Sequence, residues 1–278
     1  ALTDRLTVLG ADRQTALIAL GGGVVGDLTG FAASIYMRGI PVIQVPTTLL
    51  AQVDSSIGGK TGVDTPAGKN LLGAFHQPKA VFTDIAFLRT LPEAMLRSGL
   101  AEVIKYGVVD SPDLLEDLEE AAVRNGLREP PFLGRIVATA CRIKKQLVEN
   151  DERDLGVRRI LNFGHTVGHA VEAASDYRLS HGESVTIGMV AAARLSRKLY
   201  GLPSAEADRI EALIKAVGLP IRLPAGINPK EIRSRLNLDK KKEGDTSHFV
   251  LIKKMGMPFM SGDVPDGILR EILEEMKP

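Results

Sequence analysis

Ala16-Leu17-Ile18-Ala19-Leu20 runs straight into Gly21-Gly22-Gly23-Val24-Val25-Gly26-Asp27. An apolar run of this length, stopped by glycine, reads as a strand buried on both faces, as strands of parallel sheets are. Glycines at that point let backbone N–H groups approach a phosphate, and a helix opening there adds partial positive charge. Val24 to Tyr36, rich in Ala and Gly, carries a helical period, and Pro41-Val42-Ile43-Gln44-Val45 forms a second strand that halts at Pro46-Thr47-Thr48. Strand, helix and strand in that order make one βαβ unit with a right-handed crossover. The spacing is not G-x-G-x-x-G, and the acid follows Gly26 at once instead of ~20 residues later, so the standard dinucleotide fingerprint is not met. A tight turn without a ligand stays open as an alternative here.

Outward from this unit, a short helical pattern (Leu2 to Leu9) precedes the first strand, and Ala80-Val81-Phe82-Thr83 supplies a third strand candidate. From Pro92-Glu93 onward the patterns turn helical, since Pro fits a first helical turn. Helices are expected over 92–105, 114–125, 132–149, 162–174, 182–200, 205–217 and 229–236, with one late strand at His248-Phe249-Val250-Leu251-Ile252. The expectation is an α/β nucleotide-binding part with a parallel sheet over 1–91 and an all-α metal- and substrate-binding part over 92–278. No internal repeat, heptad array or low-complexity segment interrupts it.

Composition narrows the partners. Lys+Arg 35 against Asp+Glu 34 gives a net charge of +1, and aromatics are 4% with no Trp. Neither a basic stripe nor a stacking platform for nucleic acid is supplied. No apolar run reaches the ~18–20 residues needed to span a bilayer. The lone Cys141 rules out an internal disulfide framework. These features point to a soluble, cytoplasmic protein without nucleic-acid or membrane partners, and the first residue, Ala1, reads as a cut.

Two further stretches carry chemistry. Pro46-Thr47-Thr48-Leu49-Leu50-Ala51-Gln52-Val53-Asp54-Ser55-Ser56-Ile57-Gly58-Gly59-Lys60 and Asp64-Thr65-Pro66-Ala67-Gly68-Lys69-Asn70 follow a strand as polar loops, each with a Gly-Lys pair. Open α/β sheets bind ligands beyond the carboxyl ends of their strands, where Lys60 and Lys69 offer charge to a phosphate. Of five histidines, three cluster as His165, His169 and His181. His165 and His169 stand i, i+4 on one helix face. Two imidazoles and one carboxylate would make an open catalytic Zn²⁺ site. Thr166 stands where H-E-x-x-H needs Glu, so the zinc-protease reading fails. Glu102, between Leu100 and Val103 and beside Lys105, is the best candidate for the carboxylate. Arg142, Lys144, Lys145, Arg158-Arg159 and Lys240-Lys241-Lys242 equally read as solvated faces and turns.

Taken in order, Gly21 to Asp27, Tyr36-Met37-Arg38-Gly39, Pro46 to Lys60, Gly68-Lys69-Asn70, Glu102-Val103-Ile104-Lys105, Asn162-Phe163-Gly164-His165-Thr166-Val167-Gly168-His169 and His181-Gly182-Glu183 resemble the signature segments of the 3-dehydroquinate synthase family. The resemblance spans essentially the whole chain and implies a dehydroquinate synthase-like fold lacking about eighty N-terminal residues, more than half a typical small domain. It implies conversion of 3-deoxy-D-arabino-heptulosonate 7-phosphate to 3-dehydroquinate and phosphate in the shikimate pathway. Transient oxidation by NAD, phosphate elimination, reduction and intramolecular aldol closure would follow one another, with Zn²⁺ or Co²⁺ as the metal. Glu102, His165 and His181 resemble the metal ligands. Gly22, Gly23, Val24, Val25, Gly26, Asp27, Thr47, Thr48, Asp54, Lys60, Lys69, Phe87, Leu88, Arg89 and Thr90 resemble the NAD positions. Arg38, Asn70, Lys144, Arg158 and one of Lys240 and Lys241 resemble substrate contacts, and His169, Lys60, Lys105 and Asn162 the catalytic set. A sugar phosphate is the implied partner, in a homodimer. Asp154 stands where the family carries Glu. The metal-dependent glycerol and iron-type alcohol dehydrogenases, the other sugar phosphate cyclases, and a non-catalytic nucleotide- or partner-binding remnant are the rival readings; the loop Asp54 to Lys60 looks like the dehydroquinate version.

Overall fold

The computed structural model describes residues 2–65, 68–242 and 248–278, with the backbone alone described at 68–70 and 237–242. The elements in chain order are α1 (Leu2–Val8), β1 (Leu17–Gly21), α2 (Gly23–Ile35), β2 (Val42–Pro46), β3 (Lys60–Thr65), β4 (Gly68–Phe75), β5 (Ala80–Val81), α3 (Glu93–Val109), α4 (Pro112–Val123), α5 (Pro130–Asn150), α6 (His165–Ala174), α7 (His181–Tyr200), α8 (Ser204–Ala216), α9 (Pro229–Lys242), β6 (Phe249–Ile252), β7 (Pro258–Ser261) and α10 (Asp266–Glu275). They fall into two compact units, Ala1–Gly99 with Leu133–Arg158, and Leu100–Phe132 with Arg159–Pro278.

In the first unit β1, β2 and β5 form a parallel sheet in the order β1-β2-β5, with Leu17 opposite Val42 and Ile43 opposite Ala80. The expected βαβ unit is there, α2 crossing from β1 to β2. Leu6, Ala33, Tyr36, Ile40 and Val42 close a small core around it. The polar stretch read as loops folds differently. After β2 a single π-helical turn, Ala51–Ser55, leads to an antiparallel hairpin in which Lys60 pairs with Phe75 and Val63 with Leu72. Lys60 therefore opens strand β3 and Lys69 lies on β4, instead of both sitting in turns. Residues 133–158, expected with the C-terminal part, belong to the first unit. The reason is local bonding: Cys141 Sγ donates to the Gln52 carbonyl at 3.2 Å, Lys144 to Asp54, and Arg158 to the Gly58 carbonyl.

The second unit is helical apart from an antiparallel β6–β7 hairpin, Phe249 opposite Ser261. A second strand there, and α10, are additions to the sequence reading. Helix α7 is its axis, buried without interruption from Ser184 to Ala193. It opens with a reciprocal cap: the Glu183 N–H donates to Ser180 Oγ, and the Ser180 N–H donates to Glu183 Oε2 at 2.8 Å. That pairing satisfies two otherwise orphaned donors and fixes the start of the helix. Bidentate pairs of Arg194 with Glu211 and Arg209 with Glu119 tie α8 to α7 and α4. Among the described residues no helix is long and apolar enough to cross a membrane.

Candidate active site

Helix α6 starts at His165 because Gly164 turns the chain at φ 79°. Helix α7 starts at His181, directly behind the Ser180 cap. The two helices approach backbone to backbone: a Cβ on Gly188 would lie 1.8 Å from the Gly164 carbonyl oxygen. Only glycine permits that contact, and the contact brings both helix starts together. Glu102 projects from α3, wholly buried, with Oε1 3.2 Å from His181 Nε2 and 3.5 Å from His165 Nε2. Ligands at ~2.0–2.1 Å from a tetrahedral Zn²⁺ stand ~3.4 Å apart, so the carboxylate stands from each imidazole at the spacing one ion requires. The His165 Nδ1–H donates to the Phe163 carbonyl at 3.2 Å, which leaves Nε2 as the free base aimed at Glu102. Such outer hydrogen bonds fix tautomer and ring plane in metal sites.

The charges agree with that arrangement. Burial pushes the Glu102 carboxyl up, but the ammonium of Lys105 and the rings of His165 and His181 hold it well below the usual carboxylate range. Lys105 is itself buried and ion-pairs with Glu102 from the next turn of α3. Burial, reinforced by Lys105, keeps the His165 imidazole well below its usual value despite Glu102. One carboxylate and a neutral imidazole are the ligand forms a cation needs. His169, exposed on the next turn of α6, has its ring 5.2 Å from that of His165 and 6.1 Å from that of His181. Glu183, quoted in the same motif as His181, is spent on the helix cap.

A second constellation forms within the first unit. Asp27, Asp54, Lys60, Lys144 and Arg158 line a cavity of about 510 Å³ together with Ser55, Thr61 and the β3–β4 hairpin. Lys144 and Arg158 are buried, at 5% and 3% exposure, against the sequence alternative of a wet helix face. The Lys144 ammonium donates to Asp54 Oδ1 at 2.8 Å. The Arg158 guanidinium donates to the Gly58 and Glu152 carbonyls at 3.1 and 2.8 Å. Gly58 makes room for it: at φ 101° a Cβ would meet Arg158 Nη2 at 2.3 Å. Lys60 ion-pairs with Asp154, which accounts for an acid at that position. Burial raises the Asp27 carboxyl to about 6, against the Lys144 charge and with Asp54 and Asp64 adding to the rise.

Beside that cavity lies the glycine turn. Gly22 caps α2 with no side-chain bond to the helix N-terminus, leaving backbone donors uncovered. Its missing Cβ would stand 3.1 Å from Thr48, and that of Gly23 3.0 Å from Ser55. The turn and the residues after β2 therefore form one surface with backbone donors and hydroxyls, a fit for a nucleotide pyrophosphate. Val24 and Val25 are exposed on it, and Gly26 is buried over Gln44. Gln52, which sequence reasoning passed over, links this surface to the β5 side by donating to the Pro46 and Asp84 carbonyls. Phe87, Leu88, Arg89 and Thr90 lie on the 3₁₀ turn that Asp84 caps, with Leu88 turned into the core. Thr47 follows β2, its N–H donating to the Gly21 carbonyl.

Not every expected residue joins these groups. Arg38 sits exposed on a left-handed turn at φ 65° and does not line the cavity. Asn162 is exposed at the end of a 3₁₀ turn, Val157–Asn162. The side chains of Lys69, Asn70, Lys240 and Lys241 lie outside the described ones. Glu172, not singled out from the sequence, is 5% exposed and groups with His169 and His181. Its signal was the stripe His165, His169, Glu172 at helical spacing.

A phosphate-scaled cluster of cations beside a nucleotide-type turn, with a cation-ready His-His-Glu set in a helical unit, is the equipment of the sugar phosphate cyclases. Residues 1–98 match the family 3-dehydroquinate synthase N-terminal, and 99–242 match 3-dehydroquinate synthase C-terminal. The chain belongs to the 3-dehydroquinate synthase family. It is 50% identical over 274 residues to the 3-dehydroquinate synthase of a Synechococcus strain, covering 98% of this chain and 74% of that one. ValA, a 2-epi-5-epi-valiolone synthase from Streptomyces hygroscopicus with NAD⁺ and Zn²⁺ bound, superposes with a TM-score of 0.92 at 30% identity over 99% of this chain and 77% of its own. A 2-deoxy-scyllo-inosose synthase complexed with carbaglucose-6-phosphate, NAD⁺ and Co²⁺ gives 0.89 at 29% identity, covering 99% and 78%.

Proposed function

We propose that this chain is the catalyst that turns 3-deoxy-D-arabino-heptulosonate 7-phosphate into 3-dehydroquinate and phosphate. The observation that carries the reading is the Glu102–His165–His181 set, spaced for one divalent ion, in a chain half identical to a named 3-dehydroquinate synthase. Loaded with Zn²⁺ or Co²⁺ and NAD⁺, the protein gains a Lewis acid that acidifies a substrate hydroxyl and a hydride acceptor that is regenerated within each turnover.

The chain's own residues supply the rest. Lys105 keeps Glu102 ionised in a buried position where an unpaired carboxylate would be costly. Lys144, Arg158 and Lys60 offer the positive charge that a dianionic phosphate and a carboxylate demand. His169, exposed beside the ligand set, takes a proton from a substrate hydroxyl, a task suited to imidazole near neutral pH. The glycine turn from Gly22 to Asp27, with Thr47, Thr48 and the turn at Phe87, Arg89 and Thr90, holds the nucleotide. The family resemblance adds Arg38, Asn70, Lys69, Asn162 and Lys240 or Lys241 to the substrate and cofactor contacts. Asp54 holds Lys144 in place.

The test is phosphate release from the heptulosonate phosphate with added NAD⁺, with and without chelator, while absorbance at the NADH band is followed. Phosphate release that stops on metal removal, without net NADH, is expected. Stoichiometric NADH points to a polyol dehydrogenase instead, and unchanged release from metal-free protein refutes the ligand set. His165→Ala should lose the tightly bound metal and His169→Ala retain it. The reading includes a cytoplasmic homodimer, and light scattering at twice the chain mass is the expected result.

A further inference from the structure

His169, Glu172 and His181 form a second three-ligand set whose donor atoms all lie within 4.8 Å of one another. His169 and Glu172 are i, i+3 on α6, so both side chains rise from the same face as His165. Glu172 is the notable member. A carboxylate on a helix surface ordinarily points to water, yet this one is 5% exposed, with an oxygen within 4.8 Å of a ring nitrogen of His169 and of His181. His181, at the head of α7, belongs to both sets, with its ring 5.4 Å from that of His165 on one side and 6.1 Å from that of His169 on the other. Exposure increases outward, from Glu102 at 0% through His165 at 13% to His181 at 31%, with His169 exposed.

We propose that His169, Glu172 and His181 are a second, solvent-side divalent-cation position, alternative to the Glu102–His165–His181 set because both need His181. Two imidazoles and a carboxylate form the same donor chemistry on either side, so the outer position takes the same borderline ions, Zn²⁺ or Co²⁺. The shared imidazole limits the chain to one ion at a time. The inner set has the deeper burial, with Glu102 at 0% and His165 at 13% exposure, and it holds the ion at equilibrium.

The experiment uses the full chain, stripped with chelator, and measures Zn²⁺ and Co²⁺ by equilibrium dialysis, with circular dichroism to verify folding. Wild type should saturate at one ion. His165→Ala should still bind one ion, at least ten-fold more weakly, with changed Co²⁺ absorption bands. Adding Glu172→Gln to that variant should bring binding to background, while Glu172→Gln alone keeps the tight ion. His165→Gln serves as a second background with a side chain of closer volume. Two ions on wild type would overturn the exclusion. A folded His165 variant that binds nothing, or one whose ion survives Glu172→Gln, would overturn the outer position while leaving the inner one intact. A wild type that binds no ion overturns the inner reading as well.

Discussion

Asp27 stands one residue past a buried glycine on α2, among Lys144, Asp54 and Asp64, and its carboxyl is raised to about 6. A carboxyl raised in the folded state favours folding only while it stays protonated. Its contribution is whole below the unfolded value near 3.8 and is lost as pH rises through about 6. Asp27→Asn should therefore leave stability unchanged near pH 4 and raise it at pH 8. The gain is on the order of 1–2 kcal/mol after allowance for solvent screening of a partly exposed group. Urea midpoints across that range check it, and a gain equal at both ends would show that the charge is not the cause. The residues of the candidate site were unevenly legible. His165 and His169 announce themselves by spacing, because one helix carries both. Glu102 does not, since it meets His181 across seventy-nine positions of chain and no local pattern encodes that pairing. Lys144 and Arg158 look like ordinary helix-surface cations until their acceptors, Asp54 and the Gly58 carbonyl, are known.

At the scale of elements, the α6–α7 contact is the joint on which the ligand set depends. Gly188→Ala would drive a methyl into the Gly164 carbonyl, from which the added carbon would stand 1.8 Å away. The helices must separate, at a cost of ~1–3 kcal/mol or more, and the imidazoles of His165 and His181 separate with them. Thermal melting should drop and Zn²⁺ affinity fall by ten-fold or more. Gly267→Ala is the matching control: within α10 nothing lies within 4 Å of the added carbon, and the helix should gain up to ~1 kcal/mol. Equal effects from the two changes would remove the contact as the explanation. The contrast also shows which elements sequence can reveal. The apolar run of β1 and the helical period of α2 declare themselves by composition. The β3–β4 hairpin does not, because Lys60, Gly62 and Gly73 look like loop residues and its strands gain definition only by pairing. Helix α10 was passed over, although Leu269, Ile272, Leu273 and Met276, which are buried, stand at helical spacing.

At the scale of the molecule, each constellation draws its residues from within one unit. The cavity lined by Lys60, Lys144 and Arg158 is built wholly from Ala1–Gly99 and Leu133–Arg158, and the Glu102–His165–His181 set wholly from the other unit. A ligand that binds only the native form stabilises it by about 2.7 kcal/mol at one hundred times its dissociation constant. For a body of this size that amounts to an upward shift of roughly 5–10 °C in the melting midpoint. Zn²⁺ should therefore protect α6, α7 and the latter half of α3 in hydrogen exchange, leaving β1, β2 and the hairpin unchanged. Orthophosphate should do the reverse, slowing exchange around residues 54–60 and 144–158. Gly58→Ala, which displaces the Arg158 guanidinium, should abolish the phosphate effect and leave the Zn²⁺ effect whole. If Zn²⁺ protected both sets of segments alike, the two constellations would not be energetically separate, and assigning each ligand to its own unit would fail.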